Sequence, residues 1–432
     1  MGPVIVLDKS VIQSLSPKEI DFLYRYYSLN VAPILVVEVL GDLAKPDREG
    51  AMSGKQVVEL ANKLHHMNSA VNEHYRTMMA YSLLGREIKM DGRPVLGGQP
   101  VVRPDGKRGV VIPEKPEERT LLNWRRGAFS DMEREMAIRW RESTKAIDLE
   151  KVRAEYKPLT SDFPATEDLG RLLSHIDETI LGAQDQSLVL DTLLEEFPYD
   201  PDTTARIKAR WEKKEFDTLA TFAPYAFYCF RMITLFYFGL ARNLIGTRAT
   251  NRVDMEYGFY LPFAMCFASN DHFHSNFIPL FLRPDQSFIE GKELKGDLKS
   301  FADEWSTLDD VKKKRWLVQN GSYPPARAES ITNQLWQQHC KPREEVNRGR
   351  YSASAGAAPG KMKKRAKDLS AMLSSPYKLI QTDFDEDEID FIERPRTLLI
   401  DDPCPCRSGK PIKYCHLEQI RAAEGRQGRG PV

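Results

Sequence analysis

Four consecutive apolar residues, Val4 to Leu7, run straight into an acid, Asp8, and Ser16, Pro17 and Glu19 then stand just ahead of IDFLYRYY. A run with no polar face predicts a short strand buried on both sides. Ser16, Pro17 and Glu19 have the types and spacing of an N-cap, N1 and N3, so a helix should begin there. A buried strand followed by a helix opens an α/β unit. Asn30 to Ala32 suits a second short strand, and Pro33 opens another helical run, ILVVEVLGDL, in which Glu38 and Asp42 fall four apart on one face. FAMCFA reads as a further strand, and Phe301 to Gln338 as helical.

Between these α/β segments the character changes. From residue 50 to about 239 the chain carries long charged helical patterns and few strand signals, so it reads as a mainly helical insertion. Gly92 to Pro113 interrupts it. There PVV and GVVI flank RPDGKR, which fits an exposed hairpin turning at Asp105 and Gly106, although a plain surface loop is the commoner outcome for such a stretch. Residues 301–340 should form C-terminal helices and 341–376 a flexible basic linker rich in Gly, Ala and Ser, followed by the acidic run DFDEDEIDFIE.

Bulk composition narrows the class. In 432 residues, 62 basic side chains balance 62 acidic ones, and 41% hydrophobic content is that of a globular protein, so net charge singles out no partner. The opening MGPVIVLDKS lacks the basic flank and long apolar core of a secretory signal, and six cysteines show no disulfide pattern, so a reducing cytoplasm is expected. Thr218 to Leu240 approaches bilayer length, but Arg231 lies at its middle, where a charge costs about 3 kcal/mol on insertion scales. A buried core helix is the expectation, with no membrane partner.

The acids are the chemical signal. Asp8 closes one apolar strand and Asp271 follows another, so in a parallel sheet both would emerge at the carboxyl edge where such folds place ligands. Carboxylates gathered there repel unless a cation neutralises them, and their oxygens suit Mg²⁺ or Mn²⁺. Asp8 in VIVLDKS, Glu38 in ILVVEVL, Asp254 in NRVDMEYGFYL and Asp271 in FASNDHF stand in an order that resembles the PIN-domain nucleases. In that family an Asp ends the first strand, a Glu lies on an early helix, an Asp on a later helix, and an Asp just after a following strand, often preceded by Ser or Thr. Lys9 follows the first Asp where the family commonly has Thr or Ser, and Ser10 fits the next position. The resemblance implies a discontinuous PIN-like α/β domain over 1–48 and 240–300 with a small parallel sheet. It implies also that the four acids hold Mg²⁺ or Mn²⁺, with Asp42 the alternative to Glu38. His272 and His274 flank the last acid and could contact phosphate, although polar loop histidines are the ordinary case.

The tail carries a second signal, CPCRSGKPIKYCH, in which Cys404, Cys406, Cys415 and His416 form a Cys₃His set suited to structural, tetrahedral Zn²⁺. The words CPC-x-SGK resemble the SEC-C motif, with Arg407 where that family usually has Gly, and place a small zinc-binding unit at about 400–420. That resemblance implies contact with a protein or the ribosome; a redox-active thiol pair is the rival. Taken together, the expectation is a helix-rich α/β, metal-dependent endoribonuclease acting on RNA, with a zinc-bound recognition tail. The alternative is a non-catalytic RNA- or protein-binding adaptor on a degenerate PIN-like fold.

Overall fold

In a computed structural model of the chain, the described residues are 2–46, 54–161, 163, 168–213, 218–321, 323–342, 378–379, 389–394, 399, 401–402 and 411–414. The chain divides into two compact units. One comprises Met1–Leu64, Asn68–Val95 and Asn123–His339, and the other His65–Met67, Leu96–Leu122 and Cys340–Val432.

The first unit is built on a five-stranded sheet. Its strands are β1 (Val4–Leu7), β2 (Ser28–Val31), β3 (Ser69–Val71), β6 (Cys266–Ser269) and β7 (Ser287–Glu290); β4 and β5 (Gln99–Val102, Arg108–Val111) belong to the other unit. The order across the sheet is β3-β2-β1-β6-β7 and every pairing in it is parallel. β1 lies at the centre, in register with β6 through Ile5–Cys266, Val6–Phe267 and Leu7–Ala268. The apolar run Val4–Leu7 is thereby explained. Ile5, Val6 and Leu7 are buried from both faces, and each such side chain adds about 1.5–3 kcal/mol of burial free energy. Sequence order runs outward from β1 to β2 and β3, and then returns to β6 on the opposite side of β1. The chain therefore leaves β1 and β6 in opposite directions, which opens a crevice at their carboxyl ends.

The helix Pro17–Tyr26 begins with Ser16 capping the Glu19 amide and Glu19 answering the Ser16 amide, as its sequence required. The helix Pro33–Gly41 starts on its proline. Pro224–Ala241, the near-bilayer-length run, is a core helix packed against Tyr75–Leu83 and Leu149–Tyr156. Its Arg231 is not stranded among apolar groups, because it forms a two-pronged pair with Asp177 at 2.6 Å on both arms. Among the described residues no helix is long and apolar enough to cross a membrane. β3 falls inside the stretch read as mainly helical, and β7 was not anticipated: strands of three and four residues are too short to show a period. Residues 301–339 share the compact unit of the sheet, where Gly291–Thr307 packs on Pro17–Tyr26 through Phe22, Tyr26 and Phe301.

In the second unit the stretch for which a plain surface loop was the commoner expectation forms a hairpin instead, with β4 and β5 antiparallel and Gly106 at a φ of +83° in the turn. β4 also pairs with β8 (Lys378–Leu379) and β5 with β9 (Phe391–Glu393). A loop alone would have left the hairpin edges open; here β8, from just before the acidic run, and β9, at its end, pair with them. Arg103 lies 3.8 Å over the Phe391 ring and pairs with Glu393. Most of the stretch expected to be a basic linker lies outside the described residues.

Candidate functional site

Both central strands end in an acid that caps the next helix. Asp8 is the N-cap of Lys9–Ser14, its Oδ1 accepting the Val11 amide at 2.9 Å, and Asp271 is the N-cap of His272–Phe277, accepting the Phe273 amide at 2.8 Å. Capping is a sufficient structural reason for one oxygen of each. The remaining oxygens are committed elsewhere. Asp8 Oδ2 accepts the Ser269 hydroxyl at 2.6 Å, and Asp271 Oδ2 accepts Arg248 Nη2 at 2.7 Å. Asp254, on the helix Thr250–Tyr257, accepts the same Arg248 nitrogen at 2.9 Å.

Glu38 arrives from the helix Pro33–Gly41, which packs against Thr250–Tyr257, and its Oε2 accepts a short hydrogen bond from the Tyr257 hydroxyl. Tyr257 is one turn beyond Asp254 on that helix. The structure thus brings all four sequence-expected acids to one edge of the sheet, joined through Tyr257, Arg248 and Ser269. Asp42, the alternative to Glu38, is buried and faces away from this chain of contacts: Lys9 stands 2.8 Å and Lys45 2.6 Å from its carboxylate. Lys9, which departs from the PIN pattern, is spent on that pair and on the Glu38 carbonyl at 2.8 Å. Ser10, one place later, contributes a hydroxyl 2.9 Å from both Asp8 oxygens.

His274 changes the charge balance. It is fully buried on a helix rather than in a polar loop, with Nδ1 2.8 Å from Ser269 Oγ and Nε2 2.8 Å from the Asp254 carbonyl oxygen. A carbonyl only accepts, so Nε2 carries a proton. Ser269 Oγ also accepts the Asp271 amide and has one hydrogen to give. It gives that hydrogen to Asp8, so the hydroxyl oxygen is left to accept from Nδ1, an arrangement that favours the charged ring. Burial opposes the charged ring, but the hydrogen bond and charge of Asp8, with the charge of Asp254, outweigh it and raise the His274 pKa. His272, by contrast, is exposed and its ring contacts Asn276.

The other shifts follow from position. Burial pushes Glu38 up to about 7 against the pull of Lys9 and Tyr257, and the charges of Asp254 and Asp8 add to the rise. Asp254 is also raised, by burial first and by Asp271 as a like charge. Burial acts to raise Asp271 as well, yet the Arg248 hydrogen bond and the Phe273 amide overcome it and hold this carboxyl below the usual range. Among the described residues no three His, Cys, Asp or Glu side chains stand arranged to hold a metal. Arg248 draws Asp254 and Asp271 to itself, Tyr257 holds Glu38, and Ser269 holds Asp8. In kind the donors fit a hard dication, since all are carboxylate oxygens and a cation already bridges two of them.

Arg248, Tyr257 and the buried role of His274 were missed from the sequence. Arg248 lies in GTRAT, which follows no pattern, and Tyr257 reads only as one more aromatic in an apolar run. Two partners were legible: Ser10, two places after Asp8, and Ser269, two places before Asp271. Cys404, Cys406, Cys415 and His416 lie outside the described residues; Cys229, Cys266 and Cys340 are free thiols. Fold and site define a parallel α/β protein with an acid-rich carboxyl edge. Compared with protein-family models, curated proteins and solved structures, the chain matches none.

Proposed function

We propose that the chain is a metal-dependent endoribonuclease of PIN-like type. The observation that carries this reading is the meeting of Asp8, Glu38, Asp254 and Asp271 at the carboxyl edge beside the β1–β6 junction, where open parallel sheets bind their ligands. These four residues would hold Mg²⁺ or Mn²⁺, which would orient an attacking water and offset the charge growing on a phosphodiester. Ser269 and Ser10 fix the Asp8 rotamer, Tyr257 fixes that of Glu38, and the charged His274 ring limits the repulsion among the acids. The Cys404, Cys406, Cys415 and His416 set would bind structural Zn²⁺ and dock the tail on a protein or the ribosome.

The test is cleavage of single-stranded RNA in Mn²⁺. Asp8→Asn and Asp271→Asn preserve an acceptor for each helix cap and should lower the rate roughly a hundredfold or more, the scale of losing several kcal/mol of charge stabilisation. Equal rates for wild type and both variants would assign the cleavage to something other than this site. A second reading, a non-catalytic adaptor, is favoured by the ion pairs of Arg248 with Asp254 and Asp271, which engage two of the four acids without a metal. On that reading RNA or protein binding would survive both substitutions.

A further inference from the structure

Arg248 is placed where a bound cation would be placed. One of its terminal nitrogens lies 2.9 Å from Asp254 Oδ2 and 2.7 Å from Asp271 Oδ2, so a single positive group bridges carboxylates from two different elements. The two acids are well sheltered, with side chains 15% and 22% exposed, whereas the arginine side chain is 59% exposed. It reaches the acids from the solvent side. Its backbone belongs to the short segment 246–249 ahead of the helix Thr250–Tyr257, not to the interior of a helix or strand. Its ion-pair partners are those two carboxylates, and an ion pair whose arginine is this exposed is weak because water competes for the guanidinium.

A guanidinium and a dication cannot both occupy the gap between two carboxylate oxygens. We infer that Arg248 is a built-in competitor for the dication, bridging Asp254 and Asp271 and offsetting one of their two charges in the metal-free protein, and giving up both carboxylates when the metal binds. This rests on the metal-site reading above. It explains why the acids lie at one edge yet are not gathered around one point: the arginine draws one pair towards solvent while Tyr257 retains Glu38. The consequence is a threshold on metal occupancy, set by a residue that is not itself a ligand.

The experiment is titration of the full-length protein with Mn²⁺ alone, followed by calorimetry and by loss of the free-ion electron paramagnetic resonance signal. Arg248→Ala should bind Mn²⁺ roughly 2- to 30-fold more tightly than wild type, which is the range that two weak exposed ion pairs supply. Arg248→Gln, which keeps the length and a hydrogen-bond donor but not the charge, should tighten binding as well. A residue with a merely structural role would weaken binding when removed. Wild type that binds Mn²⁺, with both variants equal to it or weaker, would overturn the competitor role and leave the metal site standing. No binding by any of the three folded proteins would overturn the metal site, and the competitor with it.

Discussion

Glu38 is the residue at which fold and proposed chemistry conflict most directly. Its pKa is pushed from the ordinary 4.5 to about 7 by burial, so the folded protein prefers it protonated while the unfolded chain ionises it near pH 4.5. A pKa raised on folding leaves stability intact below the unfolded value and removes it as pH climbs through the folded one. The loss therefore develops between about pH 4.5 and 7 and persists above, on the order of 3 kcal/mol for a shift of this size. Asp254, also raised, adds loss in the same direction, whereas Asp271, lowered, contributes stability that disappears only in acid. Glu38→Gln keeps an acceptor for Tyr257 and removes the charge. In denaturant unfolding without metal the variant should match wild type near pH 4.5 and exceed it by about 3 kcal/mol at pH 8. Parallel stability curves for the two proteins across this range would mean that the carboxylate is comfortable where it lies. A buried acid that costs stability and caps nothing is a functional-site candidate on physical grounds.

At the scale of elements, the edge is built by close approach. The helix Gly291–Thr307 begins right after β7, and a β-carbon on Gly291 would stand 2.4 Å from Val11 Cγ2 and 2.8 Å from Asn270 Nδ2. Asn270 directly precedes Asp271, so crowding here is passed to a candidate ligand. Gly291→Ala should cost about 1–3 kcal/mol in overpacking and weaken Mn²⁺ binding. Gly296→Ala on the same helix has nothing within 4 Å of its new methyl and should instead stabilise by up to about 1 kcal/mol through helix propensity. Thermal unfolding of the pair checks this; a Gly291 variant as stable as its control would show that the helix start has slack. The elements legible in the sequence were those whose signals are local. Val4–Leu7 declared itself by having no polar face, and Pro17–Tyr26 by its capping box. β3 and β7 carry no such signal, because their place comes from pairing with β2 and β6 across the sheet. Order across a sheet is a long-range property that no window of sequence contains.

At the scale of the whole molecule, the four acids could be named from sequence because each follows or occupies an element in a recurring order, while their neutralising partners could not. Arg248 and His274 meet partners only 5 to 23 residues away, but across a turn between elements that carries no periodic signal, and Ser269 links them to Asp8 at the far end of the chain. The C-terminal segment shows the same division: β9 meets β5 across most of the chain's length, which the acidic composition of that run did not foretell. The Cys/His cluster near the C-terminus is the opposite case, since Cys404, Cys406, Cys415 and His416 lie within one short stretch of sequence. A segment so poor in apolar residues has no core of its own, so metal binding would supply most of its folding free energy. Protein purified under reducing conditions without chelator should carry one zinc per chain by elemental analysis. Cys404→Ser combined with Cys406→Ser should abolish it, because two remaining ligands cannot complete a tetrahedron. The sheet-bearing unit ends at His339, so its unfolding should shift little while partner binding through the tail is lost. Absence of zinc from the wild-type protein would remove the structural-metal role, and the thiols would then have to be examined as a redox pair.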